Sequence, residues 1–238
     1  MIVPGQLHPG TFINRVSRFS ATVVVGGGKA LAYVPNSGRL AELLVPGAPV
    51  LVRRPAPSGD RRRTGYDLLF VAGPTGWVCV QASLAGPLFV EAFRTGILTP
   101  PEGADPAAAH IVPEVAVGGN RIDFQVTCGN RSYLVECKSV TLVDHGVALF
   151  PDAPTARGLR QVRELGGQIS PSRGAWVIFV VMREDADAFR PNRACHPEFA
   201  QVLEEAHAAG VRVASLTCRV LPPEIRPHKA IPVLLAAS

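Results

Sequence analysis

RIDFQVTCGNRSYLVECK, residues 121–138, contains the most informative pattern in this sequence. Two runs in which apolar and polar residues alternate flank TCGNRS, whose composition is typical of a turn, so the two strands should pair antiparallel. One apolar face is assigned to Ile122, Phe124, Val126, Tyr133, Val135 and Cys137. Keeping this face intact predicts Phe124 opposite Val135 and Val126 opposite Tyr133, because a one-residue slip would turn one apolar set to the wrong side.

The same register places Asp123 opposite Glu136, with Lys138 on the same face of the second strand. Cross-strand partners have Cβ atoms about 4.5–5.5 Å apart. At that distance and an effective dielectric near 20, two carboxylates repel each other by about 3 kcal/mol. A divalent cation would reverse that repulsion, and the Lys138 ammonium could reach a metal-bound water or a phosphoryl group. The pattern therefore predicts a site for phosphodiester hydrolysis.

The alternative is a solvent-exposed face on which Asp123 forms a weak salt bridge with Arg121 or Lys138. Two observations favour a functional site. The first is the order of elements around the hairpin. The second is the scarcity of lysine, since only Lys29, Lys138 and Lys229 occur among 24 basic residues. A chain that uses arginine for most positive charges can retain a lysine for its compact, titratable ammonium.

The order of secondary-structure elements around this hairpin, from Pro87 to Met182, is predicted to be α-β-β-β-α-β. Hydrophobic periodicity predicts helices at 86–96, 155–169 and 196–210, and strands at 111–117, 121–126, 132–143, 175–182 and 211–221. Thr155 is positioned to cap the second helix, whose apolar stripe is Leu159, Val162 and Leu165. The strand at 175–182 is apolar throughout, which is typical of a strand covered on both faces.

The first 82 residues have the short β segments and Gly/Pro turns of a small barrel resembling an oligonucleotide-binding (OB) fold. Strands are predicted at 12–25, 29–36, 49–55, 64–73 and 76–83, with a turn at Gly26–Gly28. We therefore expect a mixed α/β protein with an OB-like barrel over residues 1–82, followed by a nuclease-like domain over residues 83–238.

The chain carries a net charge of +5, and several arginines of the first segment are candidates for contacts with a polyanion. The loop from Arg53 to Arg63 is strongly cationic, Arg15 and Arg18 alternate along a predicted strand, and Arg39 lies in a predicted turn. Arginines that neutralise phosphates give affinity independent of base sequence. The residues predicted to contact nucleic acid are Arg15, Arg18, Arg39, Arg53, Arg54, Arg61, Arg62 and Arg63.

Asp123 with Glu136-Cys137-Lys138 resembles the signature of the PD-(D/E)XK nuclease superfamily, whose core has this order of elements. A wider resemblance, to the sugar fermentation stimulation protein A (SfsA) family, covers nearly the whole chain. It is carried by FINRVSRF (12–19), YVPNSGRL (33–40), RIDF (121–124), ECKSVTL (136–142), FPDA (150–153), Arg157-Gly158 and the terminal IPV. The resemblance implies an OB-like barrel, a PD-(D/E)XK-type domain and a nucleic-acid ligand.

Members of that family are described as DNA-binding regulators connected with sugar (maltose) metabolism and as DNA or RNA nucleases. The resemblance implies that Glu114, Asp123 and Glu136 bind metal and that Lys138 is the catalytic lysine. Glu91 is a further acidic candidate. Gln161 replaces a common histidine and Ala156 departs from the usual T-E-R, so a contribution of the second helix is left open.

Composition excludes several other classes of protein. The five cysteines contain no C-x-x-C pair, which argues against a disulfide framework or a zinc knuckle. No apolar run is long enough to span a bilayer and no signal peptide is recognisable, so we expect a cytoplasmic protein without membrane partners. The leading hypothesis is a nuclease that uses Mg²⁺ or Mn²⁺ on DNA or RNA. The alternative is a DNA-binding regulator without turnover, and the sequence leaves monomer and homodimer open.

Overall fold

The first structural unit is a closed five-stranded β-barrel. The computed structural model describes residues 1–55, 63–98 and 105–235. The barrel strands are β1 (Leu7–Ser17), β2 (Ser20–Val25), β3 (Gly28–Tyr33), β4 (Pro49–Arg53) and β5 (Tyr66–Ala72). Antiparallel pairing runs in the order β3-β2-β1-β4-β5, and a parallel pairing of β3 with β5 closes the barrel. The short strand β6 (Trp77–Cys79) extends the sheet from β5.

The barrel confirms the predicted OB-like architecture but corrects one strand. The segment 12–25 is two strands, with a turn at Arg18 and Phe19 between β1 and β2. This turn contains neither Gly nor Pro, which are the usual sequence markers of a chain reversal. Arg15 and Arg18 therefore do not alternate along one strand, because Arg15 lies in β1 and Arg18 lies in the turn.

The second unit is built on a mixed six-stranded sheet in the order β15-β14-β12-β9-β8-β7. Its strands are β7 (His110–Val117), β8 (Asn120–Cys128), β9 (Arg131–Val140), β12 (Arg173–Val181), β14 (Arg212–Leu221) and β15 (Glu224–Ile231). The central strands β9, β12 and β14 are parallel, and the outer strands pair antiparallel. A small second sheet joins β10 (Val143–Asp144), β11 (Val147–Phe150) and β13 (Ala188–Pro191).

Helices cover both faces of the six-stranded sheet. The three α-helices are α1 (Ala85–Arg94), α2 (Ala156–Gly166) and α3 (Pro197–Ala208). One buried core joins α1 to the sheet and includes Leu69, Phe70 and Cys79 from the barrel side. The other core packs α2 and α3 against the opposite sheet face. The central strand β9 is therefore buried on both sides, and its polar residues do not form a solvent-exposed face.

The predicted α-β-β-β-α-β order is present, with additional strands. The hairpin β10–β11 lies between β9 and α2, and β15 follows the strand that was predicted to be last. A two-residue strand such as β10 is too short to show periodicity. Strand β15 contains Pro227 and several charged residues, which is typical of an edge strand and hides it from a hydrophobicity pattern. Within the described parts of the chain, no helix is long and apolar enough to cross a membrane.

The hairpin of β8 and β9 has the predicted register, but β8 changes sides at Asp123. Phe124 pairs with Val135 and Val126 pairs with Tyr133. Phe124 and Val126 contact the core beneath α1, whereas Ile122 belongs to the core beneath α2 and α3. The prediction that Ile122 shares their face is wrong, because regular alternation does not continue through Asp123.

Candidate active site

A cleft of about 480 Å³ lies where the barrel meets the second unit, and we call it the joint cleft. Its walls come from the end of β9, from the segment leading into α2, and from Asn36–Gly38, which follow β3. The lining includes Arg18, Ser83, Asp123, Glu136, Lys138, Ser139, Asp152, Thr155 and Gln161. The fold thus brings three of the four residues predicted to be catalytic to one cavity.

Glu136 is the most deeply buried charged group of this cleft, with 3% of its surface exposed. Its Oε1 accepts a hydrogen bond from Lys138 Nζ at 2.6 Å, whereas its Oε2 is buried without a hydrogen-bond partner. Burial raises the pKa of the Glu136 carboxyl above its ordinary value; the Lys138 ammonium offsets part of this, and Asp123 adds to it. A buried carboxylate with one unsatisfied oxygen is costly unless a cation accompanies it.

Asp123 approaches β9 through its side chain. The backbone ladder between β8 and β9 runs from Phe124–Val135 to Cys128–Arg131, and beyond it Asp123 Oδ2 accepts a hydrogen bond from the Cys137 backbone N–H at 2.8 Å. Because β8 departs from regular alternation at this point, the Asp123 carboxylate reaches the same cleft as Glu136. The predicted backbone pairing of Asp123 with Glu136 is absent from the β8–β9 ladder, but both carboxylates reach the same cleft.

Lys138 is held by two side chains from different elements. Its Nζ donates to Glu136 Oε1 and to Gln161 Oε1, the latter at 2.8 Å, and 11% of its side chain is exposed. Gln161 lies on α2 and is itself 3% exposed. The second helix therefore contributes to the site, which sequence reasoning left open. A signal existed, since Gln161 is three residues after Gly158 and four before Leu165, on the buried stripe of the helix.

The oxygen ligands in the cleft suit a hard divalent cation that takes only a few of its ligands from the protein. Asp123 and Glu136 supply two carboxylates, and Glu136 Oε2 has no hydrogen-bond partner among the described residues, so its lone pairs are available to a metal ion while Oε1 is paired with Lys138. Over residues 1–55, 63–98 and 105–235, no group of three or more His, Cys, Asp or Glu side chains is close enough to hold a metal. Mg²⁺ is usually bound by one or two carboxylates together with water and substrate phosphates, so two carboxylates fit it.

Glu114, the third predicted metal ligand, is directed elsewhere. Its carboxylate lies 3.6 Å from Arg121 Nη1, and both side chains are about two-thirds exposed, at 66% and 65%. Its backbone has a φ of 56°, which removes it from regular strand geometry. Glu91, the additional acidic candidate, accepts a hydrogen bond from the Met1 amino group at 3.3 Å. Neither residue lines the joint cleft.

Of the predicted arginines, Arg18 lines the joint cleft, and a neighbouring surface pocket groups it with Arg15 and Arg39. Arg15 is half-buried and donates to backbone oxygens of Ser17, Arg18, Asn36 and Arg39, so its guanidinium is occupied by local structure. Arg18 Nε donates to the Ser37 oxygen at 3.1 Å. Arg39 is exposed.

The remaining arginines predicted to contact nucleic acid lie at or after the C-terminal end of β4. Arg53 forms an ion pair with Asp67 at 3.0 Å and also donates to the Pro4 oxygen, so its role here is structural. Arg54 is exposed, with its guanidinium 5.6 Å from the centroid of the Tyr66 ring. Arg63 is exposed. Arg61 and Arg62 lie outside the described residues.

Asp152 links the two units. It lies just before α2 but does not cap that helix, because Thr155 is the cap, as predicted, and accepts from the Gly158 N–H at 3.1 Å. Asp152 Oδ2 instead accepts from the Leu40 backbone N–H at 3.1 Å, across the joint. A side chain added at Gly38 would overlap the Asp152 carboxylate. Glycine at this position therefore lets the barrel approach the second unit closely beside the cleft.

Comparisons with known proteins give one consistent result. Residues 83–224 match the family model "Sugar fermentation stimulation protein RE domain", and residues 13–80 match "SfsA N-terminal OB domain". Proteins named sugar fermentation stimulation protein homolog are similar to this chain. The one from Moorella thermoacetica is 38% identical over 92% of this chain and 93% of its own length, and that from Symbiobacterium thermophilum is 39% identical over 95% and 94%.

A solved structure is also similar. It is described as Pyrococcus furiosus SfsA in complex with Ca²⁺, and it is 28% identical to this chain. The match covers 98% of both chains with a TM-score of 0.87. The similarity therefore extends over the barrel and the second unit together.

Proposed function

Because this chain belongs to the sugar fermentation stimulation protein (SfsA) family, we propose that its joint cleft is a metal-dependent site for hydrolysis of phosphodiester bonds in DNA or RNA. The observation that carries the proposal is the buried Glu136, whose Oε2 lacks a hydrogen-bond partner in a cleft that also holds Asp123 and Lys138. Burial of a carboxylate in this state is unfavourable in a purely structural strand.

Asp123 and Glu136 would hold a divalent cation, Mg²⁺ or Mn²⁺ being the expected ions. Such an ion, when bound, lowers the pKa of a bound water and neutralises charge on phosphate oxygens. The Ca²⁺ named for the Pyrococcus furiosus relative supports a divalent cation in this family. Ca²⁺ and Mg²⁺ share a preference for carboxylate oxygens, which the cleft supplies.

Lys138 would act on the reacting phosphate or on the attacking water. Its three N–H donors have two described acceptors, Glu136 Oε1 and Gln161 Oε1, so one donor is available for a substrate or water oxygen. These acceptors fix the ammonium at the wall of the cleft before a substrate arrives. A donor positioned in advance stabilises developing negative charge without the cost of reorganisation.

Arg18 at the cleft and the exposed Arg39, Arg54 and Arg63 would supply phosphate contacts outside the reacting centre. Such contacts give affinity that falls with salt and does not depend on base sequence. The barrel would thus hold the nucleic acid while residues of the second unit act on it.

A cleavage assay on single- and double-stranded DNA and RNA, with Mg²⁺, Mn²⁺ or EDTA, tests the proposal. We expect metal-dependent cutting by the unaltered chain, and loss of cutting with retained binding in Lys138→Ala. Lys229→Ala is the matched control, because Lys229 is 45% exposed, pairs with the exposed Asp187 and does not line the joint cleft. Equal cutting by Asp123→Ala and the unaltered chain would trace the activity to a contaminant and refute the proposal.

Metal binding can be measured without activity. We expect Mn²⁺ to raise the melting temperature of the unaltered chain, because a ligand that binds only the folded state stabilises it. Asp123→Asn and Glu136→Gln should lose that response. Glu114→Gln should keep most of it, because the Glu114 side chain is exposed and paired with Arg121. An equal loss of the Mn²⁺ response in all three variants would show that Glu114 also binds the metal.

A DNA-binding regulator without turnover is the second candidate. It is favoured by the absence of a three-acid cluster among the described residues and by the engagement of Lys138 in a 2.6 Å ion pair. It predicts a sequence-specific footprint, of the kind needed to regulate genes of sugar (maltose) metabolism, that forms equally well in EDTA. The nuclease proposal predicts no such footprint.

A further inference from the structure

The turn between β1 and β2 exposes an aromatic side chain beside the joint cleft. Phe19 is 44% exposed and Val16, also near the tip of this hairpin, is 56% exposed. Among the described residues, Phe19 is the only phenylalanine, tyrosine or tryptophan among the large exposed hydrophobic side chains. An exposed phenylalanine ring offers a planar apolar face on which another ring can stack.

Phe19 is supported rather than free. Its ring stacks on Tyr33, with centroids 6.4 Å apart and an interplanar angle of 29°. Its backbone oxygen accepts from the Val34 N–H at 2.9 Å, and the Arg18 guanidinium lies 5.6 Å from the ring centroid. We call Phe19, Tyr33 and Arg18 the aromatic platform. Its components are held together before any ligand binds, which lowers the entropic cost of binding.

The aromatic platform lies between two cavities. Arg18 lines the joint cleft together with Asp123 and Glu136. Tyr33 lines a second cavity of about 250 Å³ together with Gln81 and Ser83, and Ser83 lines both cavities. In the second cavity, Gln81 Oε1 is buried without a hydrogen-bond partner. A polar acceptor, an aromatic face and a cation therefore lie next to the residues that would act on a phosphodiester.

We propose that the aromatic platform stacks an unpaired base and thereby selects single-stranded nucleic acid for the joint cleft. The inference rests on the proposed function for the identity of the cleft as a phosphodiester site. Every base has a flat face that can stack on an aromatic ring, but in a duplex that face is covered by the neighbouring base pair. A strand with unstacked bases can place one base on Phe19 and the adjoining phosphate near Arg18.

The surroundings favour a nucleotide over an apolar protein partner. Arg18 donates to the Ser37 oxygen through Nε, and its two terminal nitrogens have no hydrogen-bond partner within the described residues. Guanidinium nitrogens in this state suit phosphate oxygens. A single ring bordered by a guanidinium and two polar cavities offers little continuous apolar area for a protein helix.

Binding to labelled oligonucleotides in EDTA tests the inference, since no metal-dependent turnover occurs there. The probes are a fluorescein-labelled 12-residue oligothymidylate and a labelled duplex of the same length. We expect the unaltered chain to prefer the single strand and Phe19→Ala to weaken that binding by about tenfold, with a smaller effect on the duplex. Phe19→Trp should retain the affinity, and its added fluorescence should be quenched by the single strand.

Leu221→Ala is the matched control, because Leu221 is also exposed, at 59%, but lies at the end of β14 in the second unit, where it pairs with Glu224. Unchanged single-strand affinity in Phe19→Ala, or preference of the unaltered chain for the duplex, would overturn the inference. If Phe19→Ala does not fold, absence of quenching in Phe19→Trp overturns it equally. Metal-dependent cutting that is indifferent to Phe19 would remove this inference alone. Strand binding that depends on Phe19, without any cutting, would remove the proposed nuclease function alone.

Discussion

Lys138 shows how single residues decide what this site can do. The lysine is fixed by Glu136 from its own strand and by Gln161 from a helix that lies 23 residues further along the chain. The sequence predicted Glu136 and Lys138 as neighbours, because residues two apart on a strand share a face. It gave no distance from Lys138 to Gln161, because that contact depends on how α2 packs against the sheet.

On the proposed nuclease function, we predict at this scale that Gln161→Met lowers kcat by about ten- to a hundredfold, the usual effect of losing a residue that positions a group acting in the reaction. Methionine fills similar volume but offers Lys138 Nζ no strong acceptor. Binding of nucleic acid in EDTA should change little, because Gln161 is 3% exposed. Steady-state kinetics and oligonucleotide titrations measure the two quantities separately.

Gln161→Glu should retain much of the activity of the unaltered chain, since glutamate keeps an oxygen acceptor for the Lys138 ammonium. Gln201→Met serves as the control, because Gln201 is exposed on α3 and donates to Glu205 at 2.8 Å. A comparable loss of kcat in Gln201→Met would show a general effect on folding. Full activity in Gln161→Met would show that Glu136 alone positions the lysine.

At the scale of elements, α2 forms because its sequence supplies both an apolar stripe and an N-cap. Leu159, Val162 and Leu165 are buried against the sheet, and Thr155 accepts from the Gly158 N–H as predicted. The helix and its cap were predictable because both depend on residues within one turn of each other. Thr155 also lines the joint cleft, so the cap and the site share a residue.

We predict that Thr155→Ala lowers the free energy of unfolding by about 1 kcal/mol, the typical cost of losing an N-cap hydrogen bond. Urea denaturation followed by far-UV circular dichroism measures the change. Thr155→Ser keeps the hydroxyl acceptor and should remain close to the unaltered chain. If alanine and serine variants were equally stable, the hydrogen bond to Gly158 would contribute nothing to the helix.

Other elements escaped prediction for equally local reasons. The β1–β2 turn lacks Gly and Pro, β10 has two residues, and β15 is an edge strand with little hydrophobic pattern. In β8, the residues on either side of Asp123 contact different cores, although they look like one alternating run in the sequence. Alternation predicts a face only while the strand stays regular, and nothing in the local sequence marks where it does not.

At the scale of the whole molecule, the barrel and the second unit are joined by polar contacts as well as by a shared core. Arg183, whose side chain is 5% exposed, forms a two-pronged ion pair with Asp185 at 2.5 and 2.6 Å. Asp185 Oδ2 also accepts from Thr75 Oγ1, which belongs to the barrel side of the joint. A second link runs from Asp152 to the Leu40 backbone. These contacts tie the barrel to the second unit.

We predict that Asp185→Ala lowers the free energy of unfolding by about 3 kcal/mol, because it leaves the Arg183 guanidinium buried without its counter-ion. Chemical denaturation at neutral pH measures this loss. Asp187→Ala is the matched control, since Asp187 is 84% exposed and should change stability by less than about 0.5 kcal/mol. Equal effects of the two substitutions would show that the buried Arg183 does not depend on Asp185 for stability.

The pH dependence of this difference follows from the pKa of Asp185. Burial alone would raise that pKa, but hydrogen bonds from Arg183 and Thr75 lower it below its ordinary value of 3.8. A carboxyl with a lowered pKa contributes its full stabilisation above its ordinary pKa and loses it as the pH falls toward the lowered value. The gap in stability between the unaltered chain and Asp185→Ala should therefore be constant near neutral pH and shrink below about pH 4.

Local patterns in the sequence predicted most of the elements and singled out Asp123, Glu136 and Lys138, which the structure places in one cleft. The register of β8 with β9, the capped α2, the OB-like barrel and the neighbouring Glu136 and Lys138 all follow from periodicities and turn chemistry within a few residues. Packing between distant segments places Gln161 and Asp152 at the cleft and directs Glu114 away from it. It also sets the exposure of Phe19 beside the cleft. These features depend on how distant segments pack, and packing is a sum of many weak contacts that no local pattern records.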